Sequence, residues 1–308
     1  MQLKLDEMPP TGVGREEPYS TNGSPQAATC LPKPKSKQPK RTKNHKIDPS
    51  RLVQDTQEPN PPRAQTASER REAAPRVMPS AASGGVPDPT PLYLARSVGP
   101  PSVLPHPRRI LVVMDLNGTL LFRPSKKRPF DFVERPHARE FMSYCLNTFA
   151  VAIWSSARPA NVNKMVARLL TKKQRSKCVV TWARDQFGLS EEDYDMRIQC
   201  YKRLTRLWSD EKVKASHPDS ASGMQWDQTN TILVDDSLEK GRSEPHNILQ
   251  IPEFSGEENE PAHVLSQVHD YLNQLSYQAD ISRFMRQNPF KLNPDYNLLA
   301  ATPAQSVP

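Results

Sequence analysis

The chain has 308 residues, 36% of them hydrophobic and 7% aromatic, enough for one mid-sized domain but lean in core-forming residues for its length. Its net charge of +8 is uneven: 20 of the 32 prolines lie at or before Pro107, and the chain up to Arg108 carries 16 Lys and Arg against 10 Asp and Glu, leaving 26 against 24 for the remainder. The basic balance therefore belongs mostly to an amino-terminal arm and does not imply a nucleic-acid-binding domain, so no direct DNA binding is expected. Four scattered cysteines (Cys30, Cys145, Cys178, Cys200) form no CxxC pair and read as reduced thiols. No apolar run approaches the ~20 residues that cross a bilayer. The opening MQLKLDEMPPTG has neither a signal-peptide core nor the acid-poor character of a transit peptide, so the expectation is a chain without a transmembrane segment.

Residues 1–106 show no sustained periodicity and are expected to be a disordered, Pro-rich basic arm. Within it, KPKSKQPKRTKNHK places seven basic residues between Lys33 and Lys46, a density that fits a nuclear address or a solvated basic linker. The localisation expected from it is nuclear or cytoplasmic, with a mitochondrial one ranked lower. Order is expected to start at RRILVVMDLNGTLL, where an all-apolar run ends in Asp-Leu-Asn-Gly, the pattern of a doubly buried strand stopping at a loop. Further strands are read at Phe149 to Ser156, Cys178 to Ala183, Thr231 to Ser237 and Asn247 to Pro252. Helices are read at His137 to Phe149 and Pro159 to Leu170, the second opened by its proline. Lys212 to Gln228 is polar and reads as a surface loop or insertion. A terminal helix then aligns Val264, Leu265, Val268, Tyr271, Leu272 and Leu275 on one face, and residues 289–308 read as a disordered tail. Alternating strands and helices over 107–288 define the fold class: α/β, a Rossmann-like parallel sheet with helices on both faces.

In such a sheet the reactive edge is the carboxyl end of the strands. The first strand ends in Asp115 and Asn117, the second in Ser155 and Ser156, and the fourth in Asp235 and Asp236. Two acidic clusters meeting at one edge repel unless a divalent cation or a lysine lies between them. An all-oxygen carboxylate set favours magnesium, and a carboxylate beside it is a competent nucleophile towards phosphorus.

DLNGTL (115–120), WSS (154–156), the YKRL lysine Lys202 and LVDDS (233–237), in this order, resemble the four motifs of the haloacid dehalogenase superfamily of phosphotransferases. RPHAREF, AIWSSARPANV, WARDQF and NTILVDDSLEK are similar, within it, to the catalytic domain of RNA polymerase II carboxy-terminal-domain phosphatases, the NLI-interacting-factor (NIF) domain, over roughly Arg108 to Met285. The resemblance implies a HAD-like fold with a small flap at RPSKKRPFDF (123–132) and no large cap domain. It implies Asp115 as nucleophile and a phosphate-binding set of Ser155, Ser156, Gly118, Thr119 and Lys202, with Ser155 against Ser156 left open as a question of register. It further implies Mg2+ held by Asp115, Asp235, Asp236 and the backbone carbonyl of Asn117. Lys202, beside Arg203 and Arg206 on a charged helical stretch, is either the motif lysine or a solvated residue. The expected partner is a phosphoprotein or an acidic peptide segment, since an open cleft suits a peptide.

The family's phosphatases carry an aspartate two residues after the nucleophile as general acid and base, and this chain has Asn117 there. An amide can do neither job, and acid-base catalysis contributes roughly 10²–10⁴-fold. Two functions follow: a magnesium-dependent Ser/Thr phosphoprotein phosphatase of the carboxy-terminal-domain-phosphatase type, working through an aspartyl-phosphate and weakened at Asn117, or a degraded phosphatase that binds proteins. The receptor subunit of the mitochondrial inner-membrane presequence translocase is an example of that scaffold role in protein import.

Overall fold

The computed structural model describes residues 76–125, 128, 130–260 and 263–297. The basic tract Lys33 to Lys46, the rest of the arm up to residue 75, and the tail from residue 298 lie outside them, as do Lys126, Lys127 and Pro129 of the expected flap.

Five strands form one parallel sheet in the order β5 (Thr181–Trp182), β4 (Ala150–Trp154), β1 (Leu111–Met114), β6 (Thr231–Asp235), β7 (Ile248–Gln250). The central strand β1 pairs with β4 from Leu111 opposite Ala150 and with β6 from Leu111 opposite Thr231. Alternation along the strands builds two cores. Val112, Met114, Val151, Ile153, Ile232 and Val234 pack on one face against α2 (Ala138–Thr148), α3 (Pro159–Leu169), α8 (Val264–Ser276) and α9 (Ile281–Gln287). Leu111, Val113, Ala150, Ala152, Trp154 and Leu233 pack on the other with Phe187, Trp226 and Val213, and with Leu204 and Leu207 of α6 (Leu204–Ser209). The three central strands are thus covered on both faces, which is why β1, β4 and β6 read as unbroken apolar runs. Between β1 and α2 the described residues form a two-stranded antiparallel ladder, β2 (Leu121–Phe122) with β3 (Val133–Glu134), the small flap expected there.

Four expectations need correction. Residues 76–106, expected to be disordered, are a strap over the domain: Val77 bridges Ile198, the Asp193 carboxylate accepts from Ser80 N–H and Ser83 Oγ, and α1 (Pro91–Ser97) is capped by Thr90. Its anchor is Tyr93, buried, whose hydroxyl donates to Asn247 Oδ1 at 2.8 Å and accepts the His246 N–H at 2.8 Å. The stretch 212–228 is not a loose surface loop. It holds α7 (Glu211–Ala215), and Val213 and Trp226 are buried in the second core. The terminal helix is two helices, since Asp280 leaves the helical path and caps α9 by accepting from Arg283 N–H. Beyond it, Asn293 pairs through its backbone with the Gln267 side chain, so the tail is docked at least that far.

Candidate active site

Three adjacent strands, β4, β1 and β6, end on the same edge and deliver Ser155, Asp115 and Asp235. Asp115 is 2% exposed and Asp235 not at all. Buried carboxylates this close require cations, and two lysines supply them. Lys202 Nζ lies 2.6 Å from Asp115 Oδ1 and 2.6 Å from Asp235 Oδ2. Lys240 Nζ lies 2.8 Å from Asp235 Oδ1, 2.8 Å from Asp236 Oδ1 and 3.4 Å from Asp115 Oδ2. All four oxygens of Asp115 and Asp235 therefore face an ammonium. Burial alone would raise the Asp235 carboxyl, but Lys202 and Lys240 hold it well below the usual carboxylate range. Asp236 is pushed up to about 6, by burial first and then by Asp115 and Asp235, against the pull of Lys240. Burial works against a charged Lys240, yet the three aspartates hold its ammonium well above the ordinary lysine value.

Lys202 is not on a helix. It sits in extended chain just before α6, and it is completely enclosed, so the solvated alternative for this residue is excluded. The second lysine carries no role in the sequence reading, although the signal was present: Lys240 follows Asp236 by four residues, and the single 3-10 turn Leu238–Gly241 brings its ammonium back over the strand end.

The loop after β1 turns on Gly118, whose φ of +87° is a left-handed conformation and whose absent Cβ would stand 3.0 Å from Asp236 Cγ. The N–H groups of Gly118 and Thr119 are committed to the carbonyls of Leu121 (2.8 Å) and Leu116 (3.2 Å), so neither offers a backbone donor to a phosphate. Thr119 is fully buried and its hydroxyl has no partner among the described residues. The expected phosphate contacts at Gly118 and Thr119 therefore have no free backbone N–H behind them, and the Thr119 hydroxyl is the one donor these two residues still offer. Leu116 and Asn117, one and two residues after Asp115, have N–H groups with no acceptor among the described residues. Asn117 Oδ1 accepts the N–H of Arg123, 3.0 Å away, tying the residue to the start of the flap. Ser155 is buried at the strand end with its N–H on Trp182 O, whereas Ser156 is half-exposed beyond it. Trp154 and Trp182 meet edge to face in the core, consistent with a wall.

A second residue without a role in the sequence reading braces this loop. Arg135 is buried, and its guanidinium donates to Thr119 O (2.8 Å), to Pro252 O (2.9 Å) and, through Nε, to Glu260 Oε2 (2.8 Å). Phe254 N–H adds a bond to Gly118 O at 2.8 Å, so the segment 252–260 is clamped across the strand-end loop.

Asp115, Asp235 and Asp236 each offer an oxygen within 4.8 Å of the others. This set has the composition that a hard divalent cation takes. The fold and this cluster together define an α/β domain with an all-oxygen acidic centre at its strand ends. The chain belongs to the NLI interacting factor-like phosphatase family, whose model matches residues 110–282. It is similar to a Schizosaccharomyces pombe protein described as an uncharacterized FCP1 homology domain-containing protein, 31% identical over 201 residues, 62% of this chain and 81% of the relative. A putative CTD phosphatase-like protein of Invertebrate iridescent virus 6 is 23% identical over 141 residues, 45% of this chain and 72% of the relative. Among solved structures, a fission yeast RNA polymerase II CTD phosphatase Fcp1 bound to beryllium fluoride aligns with a TM-score of 0.33 at 12% identity, over 61% of this chain and 59% of that one. A haloacid dehalogenase-like hydrolase from Streptococcus pneumoniae aligns at 0.35 and 10% identity, over 53% of this chain and 98% of that one.

Proposed function

We propose that the chain is a magnesium-dependent phosphatase of phosphoserine or phosphothreonine in proteins, with turnover limited by Asn117. The observation that carries this reading is Asp115 itself: a carboxylate at the end of the central strand, with Oδ1 fixed by Lys202 at 2.6 Å and Oδ2 held only loosely, 3.4 Å from Lys240. One oxygen of this carboxylate attacks phosphorus, forming an aspartyl-phosphate as the seryl or threonyl oxygen departs. Water then cleaves the acyl phosphate, returning phosphate and the Asp115 carboxylate. The N–H groups of Leu116 and Asn117, the Ser155 hydroxyl and the lysine charges are the donors for the phosphoryl oxygens. Asp115, Asp235, Asp236 and the carbonyl of Asn117 would hold magnesium, which supplies neutralising charge at the phosphoryl group. The amide of Asn117 cannot protonate the leaving alkoxide, so activated aryl phosphates are better substrates than phosphoserine.

A phosphorylated or acidic peptide segment is the partner the surface fits. From Arg158 to Lys177 the chain has seven Lys and Arg and no Asp or Glu. Lys164 and Arg168 of α3 lie over the flap rings of Phe130 (5.1 Å) and Phe132 (4.9 Å), so this basic strip begins beside the flap. No helix among the described residues is long and apolar enough to cross a membrane, and the tract Lys33 to Lys46 supports a nuclear or cytoplasmic site of action. Asn117 supports a second reading, a protein-binding scaffold that keeps the fold of a phosphatase.

The test is hydrolysis of p-nitrophenyl phosphate and of a phosphoserine peptide by the full chain, with and without Mg2+, beside Asp115→Asn. Metal-dependent aryl phosphatase activity, lost by at least ~100-fold in a folded Asp115→Asn protein, is expected. Activity unchanged in that variant overturns the assignment of Asp115, and silence from the wild type favours the scaffold.

A further inference from the structure

We propose that Lys240 is a resident cation in the divalent-metal position, so that a metal ion enters this site by displacing its ammonium. The inference rests on the reading of Asp115, Asp235 and Asp236 as metal ligands.

The geometry points to Lys240 and not to Lys202. Lys240 Nζ touches one oxygen from each of the three carboxylates that would ligate the metal: Asp235 Oδ1, Asp236 Oδ1 and Asp115 Oδ2. Lys202 touches only two of the three, through the opposite oxygens, and never reaches Asp236. A magnesium ion needs these oxygens at about 2.0–2.1 Å, which sets it within a few ångströms of Nζ, and like charges at that separation repel strongly. One of the two cations must yield. Lys202 is sealed, its side chain 0% exposed, whereas the Lys240 side chain is 7% exposed and hangs from a single 3-10 turn beside half-buried Asp236. Lys240 is the lysine with a way out.

The charge balance agrees. Three carboxylates against two ammoniums leave the cluster with an excess of one negative charge, so the metal-free site is already largely compensated. Removing the Lys240 charge doubles that excess to two and makes the site a stronger cation binder. This chain therefore binds metal weakly, and its site stays organised without it.

The experiment is Mn2+ binding to the full-length protein by electron paramagnetic resonance, for the wild type, Lys240→Met, Lys240→Gln and Lys240→Arg, with Asp235→Asn as the ligand control. Lys240→Met and Lys240→Gln are expected to bind Mn2+ at least ~10-fold more tightly than the wild type, and Lys240→Arg no more tightly. Thermal melts accompany it. Both neutral variants should melt below the wild type in chelator and gain more from added Mg2+ than the wild type does. Affinity that is unchanged or weaker in folded neutral variants, with binding abolished by Asp235→Asn, overturns the displacement and leaves the metal site standing. Absence of Mn2+ binding in every variant overturns both the metal site and the inference.

Discussion

The backbone N–H of Lys202 donates to the carbonyl of Lys240 across 2.7 Å, so the two lysines that neutralise the aspartate cluster are themselves fastened to each other. One comes from the chain entering α6 and the other from the turn after β6. Together they surround Asp115 and Asp235, which are otherwise buried. The cluster is a stability element as much as a chemical one, because a buried carboxylate that loses its partner keeps its desolvation penalty.

Lys202→Met should therefore cost about 3–5 kcal/mol of folding free energy, read as a shift of the urea midpoint in chelator. It leaves Asp115 Oδ1 and Asp235 Oδ2 buried without a cation. A loss under 1 kcal/mol would show that the carboxylates take up protons at little cost once the lysine is gone.

Arg135 predicts a coupled effect on shape and chemistry. Its guanidinium spans two backbone carbonyls and one carboxylate, a fork that an ammonium cannot reproduce. Arg135→Lys should cost about 3 kcal/mol and raise KM for an aryl phosphate more than it lowers kcat, since it loosens the loop carrying Leu116 to Thr119. A double-mutant cycle with Glu260→Gln should return a coupling of about 1–3 kcal/mol. Additive losses would show that Glu260 is incidental to the clamp.

What the sequence discloses and what it hides divide along contact distance. Asp115, Ser155 and the pair Asp235 and Asp236 are legible because they sit at the ends of three apolar runs, and the two-faced core is legible because parallel strands need apolar residues at every position. Arg135 is not legible in the same way, since Glu260 is 125 residues away, and Lys240 is legible only in part: Asp236 is four residues before it, but Asp115, which completes its set of carboxylates, is 125 residues away. The strap is the strongest case. Prolines 87, 89, 91, 100 and 101 give 76–106 the composition of an unfolded segment, yet Tyr93 is buried on Asn247, 154 residues away, and local composition carries no trace of that contact. The break between α8 and α9 is hidden for the opposite reason: the apolar periodicity continues through it, while the cap that starts α9 is one side chain, Asp280.

His217 gives the domain an acid-sensitive corner. Its Nδ1 accepts the N–H of Asp219 at 3.0 Å and its ring tilts against buried Trp226, 4.5 Å between centroids. Burial lowers its pKa from the ordinary value near 6.5, so the folded state prefers the neutral ring. The unfolded chain then binds the proton more readily, and stability is full above about pH 6.5 and falls as pH drops through the folded-state value. Burial also lowers His246, with the same sign. Thermal melts from pH 7.5 to 5 should show this decline, and His217→Gln should make it shallower. A slope unchanged by that substitution would transfer the effect to the carboxylates.

Asn117→Asp is the substitution that separates a weakened enzyme from a scaffold. Asn117 Oδ1 already accepts the Arg123 N–H, and an aspartate oxygen in its place can accept the same bond, so the loop has no reason to move. What changes is the chemistry: a carboxyl can give a proton to the leaving seryl oxygen and, as carboxylate, take one from the water that cleaves the aspartyl-phosphate. Restoring a general acid and base is worth roughly 10²-fold or more where both steps need it. The gain should be large on a phosphoserine peptide and small on p-nitrophenyl phosphate in the first step, because nitrophenolate leaves without help. The wild type should show a burst of nitrophenolate followed by slow turnover, and the variant a faster steady state. Failure of Asn117→Asp to improve peptide turnover, in a protein whose melting temperature is unchanged, would mean that more than one group is missing from the site, and the binding role would then be the better account of why Asp115, Lys202 and Asp235 stand together.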